Sequence, residues 1–275
     1  MLRWMDSADD YDTAHVLQEY DKASNISITA ANKRTGPQAI HAGANTGVRK
    51  YFDSQATWIV GGAFYLGNIA GVDTLMWIRD GDNQPAKLRS NTGKLELTSD
   101  TYDTQRDITD DVVLSANAWT YIEFKATIGN NGAYEVKVSG RTVLSGNADI
   151  QKGANATADN VMWYAVGGEI DDLYACDGTG ADNNDFLGDV KVETRIVNGA
   201  GAHSDWTPSA GLNHQCVDEI PPNDDTDYVS SATPADKDSY SCEDVALVGN
   251  IKGIQILALE RKDDAGAHVT RLLTR

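Results

Sequence analysis

Residues 119–144, WTYIEFKATIGNNGAYEVKVSGRTVL, decide the class of fold. Ile122, Phe124, Ala126 and Ile128 alternate with Tyr121, Glu123, Lys125 and Thr127, the period of two expected of a strand with one buried and one wet face. Gly129, Asn130, Asn131 and Gly132 tolerate positive φ and should close a hairpin onto residues 134–138, which alternate again. A second tight turn at Ser139 and Gly140 leads into Thr142, Val143 and Leu144, so three antiparallel strands follow one another.

Working outward, runs of the same kind occupy residues 57–66, 74–79, 86–89, 94–98 and 111–114. Regular short strands with turn signals between them predict an antiparallel jelly-roll β-sandwich. Helical periodicity is confined to residues 12–20, where Asp12 can cap and Val16, Leu17 and Tyr20 can share a face. Residues 177–185 are all turn-forming and polar, and read as a linker or a long ordered loop. From Asp189 the run DVKVETRIV predicts the first strand of a second unit. An acidic stretch with prolines follows at 217–244, strand pattern returns at 251–259, and residues 263–266 should turn the chain into 269–273. The expected organisation is a sandwich over 1–187 and a smaller C-terminal β domain over 188–275. An edge hairpin needs a partner or a cover, so the second domain is expected to be completed by a partner chain or by residues beyond Arg275.

Lys and Arg number 23 against 41 Asp and Glu, a net charge of -18. A surface this acidic repels phosphate backbones, which predicts no nucleic-acid partner. Apolar residues make up 41% of the chain with no run long enough to span a bilayer, which predicts no membrane insertion. The opening MLRWMDSADDYDTAHVL brings charge at once and lacks the apolar centre of a secretory signal. Three cysteines, Cys176, Cys216 and Cys242, are odd in number and widely spaced, as expected of reduced thiols. His203, His214, Cys216 and Cys242 lack the short Cys-x-x-Cys pair of a zinc site.

The stretch GEIDDLY at 168–174 raises the question of catalysis. Glu169 and Asp171 should share one face of a strand, roughly 6.7 Å apart. The strand resembles that of the laminarinase and lichenase group of glycosidases, which carries Glu-Ile-Asp and a second Glu four or five residues after the first. Here those places hold Leu173 and Tyr174, and Asp172 should point to the opposite face. Retaining hydrolysis needs two carboxyl groups about 5 to 5.5 Å apart, so the expectation is no catalytic residue and no enzyme. The same strand reads as one that closes a sheet with its acids wet at the end. Beyond it, Asp177, Asp182, Asn183 and Asp185, with Asn184 among them, place hard oxygen ligands in a Gly-bearing loop, and calcium is the cofactor such a loop would take. The six tryptophans, Trp4, Trp58, Trp77, Trp119, Trp163 and Trp206, are expected mostly in the core or at its rim, with one or two near loops free to stack on a sugar ring.

YEVKVSGRTVLSG at 134–146, followed by GEIDDLYACD at 168–177, resembles the laminin G-like domains of the concanavalin A-like jelly-roll superfamily. That resemblance implies that the late strand pairs with the N-terminal run LRWMD. A second resemblance spans both units. RWMDSADDYDT (3–13), SQATWIVGGAFYLG (54–67), DDLYACDGTGADNNDFLGDVKVETRIVNGAG (171–201), DWTPSAG (205–211), VDEIPPNDDTDYVSS (217–231) and KDSYSCEDV (237–245) look like virion structural proteins of tailed bacteriophages. It implies a particle component assembled in the host cytoplasm, in a tail fibre, tail tip or surface spike, with other virion proteins and a host cell-surface glycan as partners, and by analogy a homo-oligomer. The alternatives are a capsid decoration protein without a ligand, and a free lectin or glycan hydrolase.

Overall fold

A computed structural model of the chain describes residues 1–43, 46–100, 102–164, 167–223, 225–244, 249–263 and 269–272. It divides into two compact units, Met1–Thr194 and Arg195–Arg275. Among the described residues no helix is long and apolar enough to cross a membrane.

Among its described residues the first unit contains fifteen strands: β1 Leu2–Asp6, β2 Lys22–Ala23, β3 Ile26–Thr29, β4 Ala39–Ala42, β5 Gly47–Gln55, β6 Thr57–Tyr65, β7 Val72–Asp80, β8 Asn83–Asn91, β9 Lys94–Ser99, β10 Thr104–Ile108, β11 Trp119–Thr127, β12 Gly132–Val138, β13 Arg141–Ala148, β14 Ala158–Tyr164 and β15 Gly168–Asp177. They form two antiparallel sheets. One has eight strands in the order β13-β12-β11-β6-β15-β4-β3, with β1 also on β15; the other has seven, β10-β9-β8-β7-β14-β5-β2. This is the predicted all-β jelly-roll sandwich. The predicted hairpins stand as well: β11 meets β12 in the register Ala126↔Tyr134, and Ser139 (φ 47°) and Gly140 (φ 78°) form the two left-handed corners between β12 and β13. The N-terminal run pairs with the late strand, Trp4 opposite Ala175 and Asp6 opposite Leu173.

Between the sheets lies one continuous apolar core that includes Phe64, Leu88, Leu97, Phe124, Val161, Ile170 and Leu173. Two tryptophans tie it across. Trp58 of β6 donates its indole N–H to the Ala158 carbonyl on β14 at 2.9 Å, and Trp163 of β14 donates to the Gly61 carbonyl on β6 at 3.2 Å. Each sheet thus supplies an indole that satisfies a carbonyl of the other, which removes two buried polar groups from the debit side.

Several local expectations change. The helix is the single turn α1, Val16–Glu19: the Asp12 carboxylate does accept from the amides of Ala14 and His15, at 2.9 and 3.2 Å, but Leu17 is exposed while Val16 and Tyr20 are buried. Residues 111–114 form no strand. The Val113 and Leu114 amides both dock on the Gly93 carbonyl, at 2.9 and 3.0 Å, and the place beside β9 is taken by β10. The run from Asp189 is not a strand either, for reasons given below, and the compact units divide at 194/195 rather than at 187.

The second unit is lightly built. Val197–Ser204 (β16) pairs with Asp238–Cys242 (β19), and Thr207–Pro208 (β17) with Val229–Ser230 (β18), with a 3-10 turn at Asn213–Cys216. Residues 249–263 and 269–272 contain no strand, contrary to expectation; Ile251, Ile254, Ile256, Leu257 and Leu259 are exposed. The expected turn at 263–266 falls, apart from Asp263, outside the described residues, as does the end of the last expected strand at residue 273.

Candidate functional site

The two outer faces of the sandwich differ. On the eight-stranded sheet, Ile59, Ala63, Tyr121, Tyr174 and Cys176 point outward and are buried under Phe186, Leu187 and Val190. Tyr121 and Glu123 were expected on the wet side of their strand, yet they are 2% and 1% exposed. Glu123 accepts from the Tyr174 hydroxyl at 2.5 Å and from the Gly188 amide at 2.8 Å, so a residue that reads as a surface acid fastens the covering segment.

GEIDDLY lies under the same cover. Between Asp171 and Tyr174 the register of β15 against β6 slips, with Asp172 at φ 53°, a β-bulge that turns both Ile170 and Leu173 into the core and Tyr174 outward. Gly61 and Gly62 make it room: a Cβ on Gly61 would stand 2.2 Å from Tyr174, and one on Gly62 2.6 Å from Leu173. The acids are not wet. Asp171 and Asp172 are 1% and 0% exposed, and rather than facing opposite ways they reach the same segment. Asp171 accepts from the amides of Arg34 and Thr35, at 2.9 and 3.1 Å, and Asp172 from the Arg34 guanidinium and the Thr35 hydroxyl. Burial and the neighbouring Asp172 push the Asp171 carboxyl up to about 7. Arg34 also binds the Asp189 carboxylate and the Val190 carbonyl, and Asp172 accepts from the Val192 amide at 2.6 Å. Residues 189–192 are therefore pinned to the sandwich, which is why they form no strand of the second unit. Glu169 lies 3.3 Å from His41 and is nearly buried.

The residues of the calcium loop are placed as follows. Asp177, at 0% exposure, receives the N-terminal ammonium at 3.1 Å, Arg3 at 2.7 Å and the Thr179 hydroxyl at 2.6 Å; these hydrogen bonds outweigh burial and hold its carboxyl down at about 2. Asp185 pairs with Lys125 at 3.0 Å, Asn184 donates to the Gly180 carbonyl, and Asn183 sits at φ 51° in the same loop as Asp182. Among the described residues no group of three or more His, Cys, Asp or Glu is arranged to hold a metal ion. Cys176 and Cys216 are buried and Cys242 is exposed, all three as thiols.

The outer face of the seven-stranded sheet carries a different set of side chains, closely packed against one another, with Arg49, Arg79, Lys87, Thr98 and Asn160 buried. Val48, Ile78, Leu88, Leu97 and Val161 point into the core, so the residues between them point out. One row of direct cross-strand neighbours runs Lys22, Arg49, Met162, Trp77, Lys87, Thr98 over β2, β5, β14, β7, β8 and β9. The next row carries Tyr51, Asn160 and Arg79. Aromatic rings space the cations: Arg79 and Lys87 lie 4.4 and 4.2 Å from the Trp77 ring, and Lys22 and Arg49 lie 5.6 and 5.7 Å from the Tyr51 ring. Arg49 donates to the Tyr51 hydroxyl at 3.0 Å, and hydrogen bonds from Arg49 and then Lys22 draw that phenol below its usual range.

Six buried polar atoms on this face have no partner among the described residues: Arg49 Nε, Trp77 Nε1, Arg79 Nε, Arg89 Nε, Thr98 Oγ1 and Asn160 Oδ1. The Asn160 amide nitrogen is already committed to the Gly81 carbonyl and to Asp159, which leaves its oxygen as the free acceptor. None of these residues was singled out from the sequence as a site. The signal was there in TLMWIRD, AKLRS and GVRKYFD, where basic and aromatic residues occupy the places between core residues in an otherwise acidic chain.

No family model matches the chain, and none of the curated proteins does. Similar solved structures include an endo-β-1,4-glucuronan lyase from the fungus Trichoderma reesei, at 10% identity and a TM-score of 0.45, over 64% of this chain and 95% of that one. An alginate lyase is similar at 10% identity and a TM-score of 0.42, over 62% and 92%. Domain 4 of an extracellular arabinanase from Geobacillus stearothermophilus, solved with arabinotriose, is similar at 18% identity and a TM-score of 0.40, over 55% and 75%. The likeness concerns the sandwich and assigns neither ligand nor reaction. It does correct one expectation. The chain was expected to be no enzyme, and with two glycan lyases among the similar structures that exclusion is withdrawn.

Proposed function

We propose that the sandwich recognises a glycan on the outer face of its seven-stranded sheet. One observation carries this reading: of the buried polar atoms without a partner among the described residues, six lie on that face, on five adjacent strands. A buried polar group left unpaired costs about 1–3 kcal/mol, so a set of them gathered on one side marks a surface completed by something outside the chain. The set mixes donors with acceptors, which suits hydroxyl groups that do both. Strands hold the set in place, so little ordering is needed on binding.

The resemblance to tailed-phage virion proteins supports setting this module on a particle, in a tail fibre, tail tip or surface spike. There a weak individual affinity for a host-surface glycan would be multiplied by avidity. A glycan array probed with the full chain tests the binding. Signal on a restricted set of glycans, lost with Trp77→Phe, is the expected result; an array blank at every concentration would leave a capsid decoration without a ligand. Quantitative mass spectrometry of purified particles tests the placement, since a decoration would be present in large excess over the tail proteins.

A further inference from the structure

The charge on this face is unevenly balanced. At one end Lys87 and Arg89 are neutralised: Lys87 pairs with Asp103, and Arg89 lies 2.8 Å from Glu96 and 2.9 Å from Asp103. At the other end Arg49 and Arg79, each with a side chain only 8% exposed, share a single carboxylate, Asp82, at 3.9 and 3.4 Å, whose side chain is 96% exposed. Burial, and then the like charge of Arg49, pull the Arg79 guanidinium below its ordinary range. Two buried guanidiniums with one well-hydrated counter-charge between them are undercompensated. Among the described residues the Nε of each has no partner, and Lys22 adds a third cation from the strand beside that of Arg49. Strands lie about 4.8 Å apart; Lys22 stands one strand from Arg49, and Arg79 two strands from Arg49 on the other side, with β14 between them.

We infer that the glycan taken by this face is polyanionic, with its acid groups set against Arg49 and Arg79; this rests on the glycan reading above. Carboxylate and sulfate both satisfy a guanidinium fork through paired N–H···O bonds. Nucleic acid is the competing polyanion; the acidic remainder of the surface acts on both alike, and the oligo-dT arm of the test separates them.

The test is calorimetric titration of the full chain with polyglucuronate, chondroitin sulfate, the neutral β-glucan laminarin and a single-stranded oligo-dT. Binding to polyglucuronate is expected, weakening several-fold as NaCl rises from about 50 to about 500 mM, because salt screens the attraction of a charged polymer to the cations of this face. The double variant Arg49→Gln/Arg79→Gln should lose that binding while its Tm stays level or rises, since it removes undercompensated buried charge; Arg141→Ala, in a distant hairpin, should bind as the parent does. Chondroitin sulfate binding as well supports the shared anionic chemistry, and its failure beside polyglucuronate narrows the ligand to carboxylates. Binding to laminarin alone overturns this inference and leaves the glycan reading standing. Tighter binding to oligo-dT than to any glycan, or no binding at all, overturns both. A double variant that binds normally also overturns the assignment to Arg49 and Arg79.

Discussion

Replacing Arg34 by alanine is expected to destabilise the sandwich by about 3–5 kcal/mol near pH 8, the cost of leaving a buried carboxylate without its cation. Asp172, whose side chain is fully buried, loses its guanidinium partner, and Asp189 and the Val190 carbonyl lose theirs. The contact of the guanidinium with the Tyr121 ring, at 4.9 Å, goes with them. The effect should depend on pH with a definite sign. Burial raises the Asp172 carboxyl, and Asp171 and Asp9 beside it are each pushed up to about 7, mainly by burial. A carboxyl raised on folding contributes stability at acid pH that is lost as pH climbs from about 4 through its folded value. The parent should therefore melt higher at pH 5 than at pH 8. Without Arg34 the Asp172 carboxyl rises further, so the variant's slope over that window should be steeper and its deficit smallest at pH 5. A second readout is Cys176, whose thiol burial raises to about 12 and which lies beneath the segment Arg34 pins; it should become open to alkylation in the variant. An equal deficit at both pH values, with Cys176 still protected, would show that Arg34 does not hold this cover down.

Trp163→Ala should cost a similar amount, about 3–5 kcal/mol, by a different route. The side chain is fully buried, packs 5.2 Å from Trp4 ring to ring, and satisfies the Gly61 carbonyl on the opposite sheet. Truncation opens a cavity between the sheets and strands that carbonyl. For a domain of this size the melting temperature should fall by about 10 °C. Trp163→Phe keeps most of the volume and loses the hydrogen bond, so it should cost about 1–2 kcal/mol. Thermal melts that place the two variants together would mean the cross-sheet hydrogen bond carries the effect and the cavity does not.

The sandwich was legible because its signals are local. Alternation in β11 and β12, a Gly-Asn-Asn-Gly corner and a Ser-Gly corner are read within a few residues of themselves. What escaped was set by distant contacts. Tyr121 and Glu123 have the composition of a wet face, and only the return of residues 186–190 over them makes that face an interior. The bulge at Asp172 depends on the Gly61-Gly62 pair over a hundred residues earlier. Residues 251–259 have the pattern of a strand, but a strand also needs a neighbour, and none forms among the described residues. The site escaped for a related reason. Arg49, Trp77, Arg79 and Asn160 belong to three different strands, and come together in two adjoining rows only through the order β7-β14-β5. GEIDDLY drew the eye because carboxylates at a spacing of two, Glu169 and Asp171, look like chemistry; in the folded chain Asp171 and Asp172 are anchor points for Arg34 and Thr35, and Glu169 lies against His41.

The central claim is that a glycan completes the outer face of the seven-stranded sheet, and the indole N–H groups report on it directly. The chain has six tryptophans; the indoles of Trp58 and Trp163 are committed to carbonyls across the core, whereas that of Trp77 has no partner among the described residues. In a proton–nitrogen correlation spectrum, with the Trp77 signal assigned by its absence in Trp77→Phe, titration with short glucuronate oligomers should move that indole signal and leave those of Trp58 and Trp163 in place. A Trp77 signal that stays fixed at saturating oligomer, while binding is evident elsewhere in the spectrum, would contradict the account.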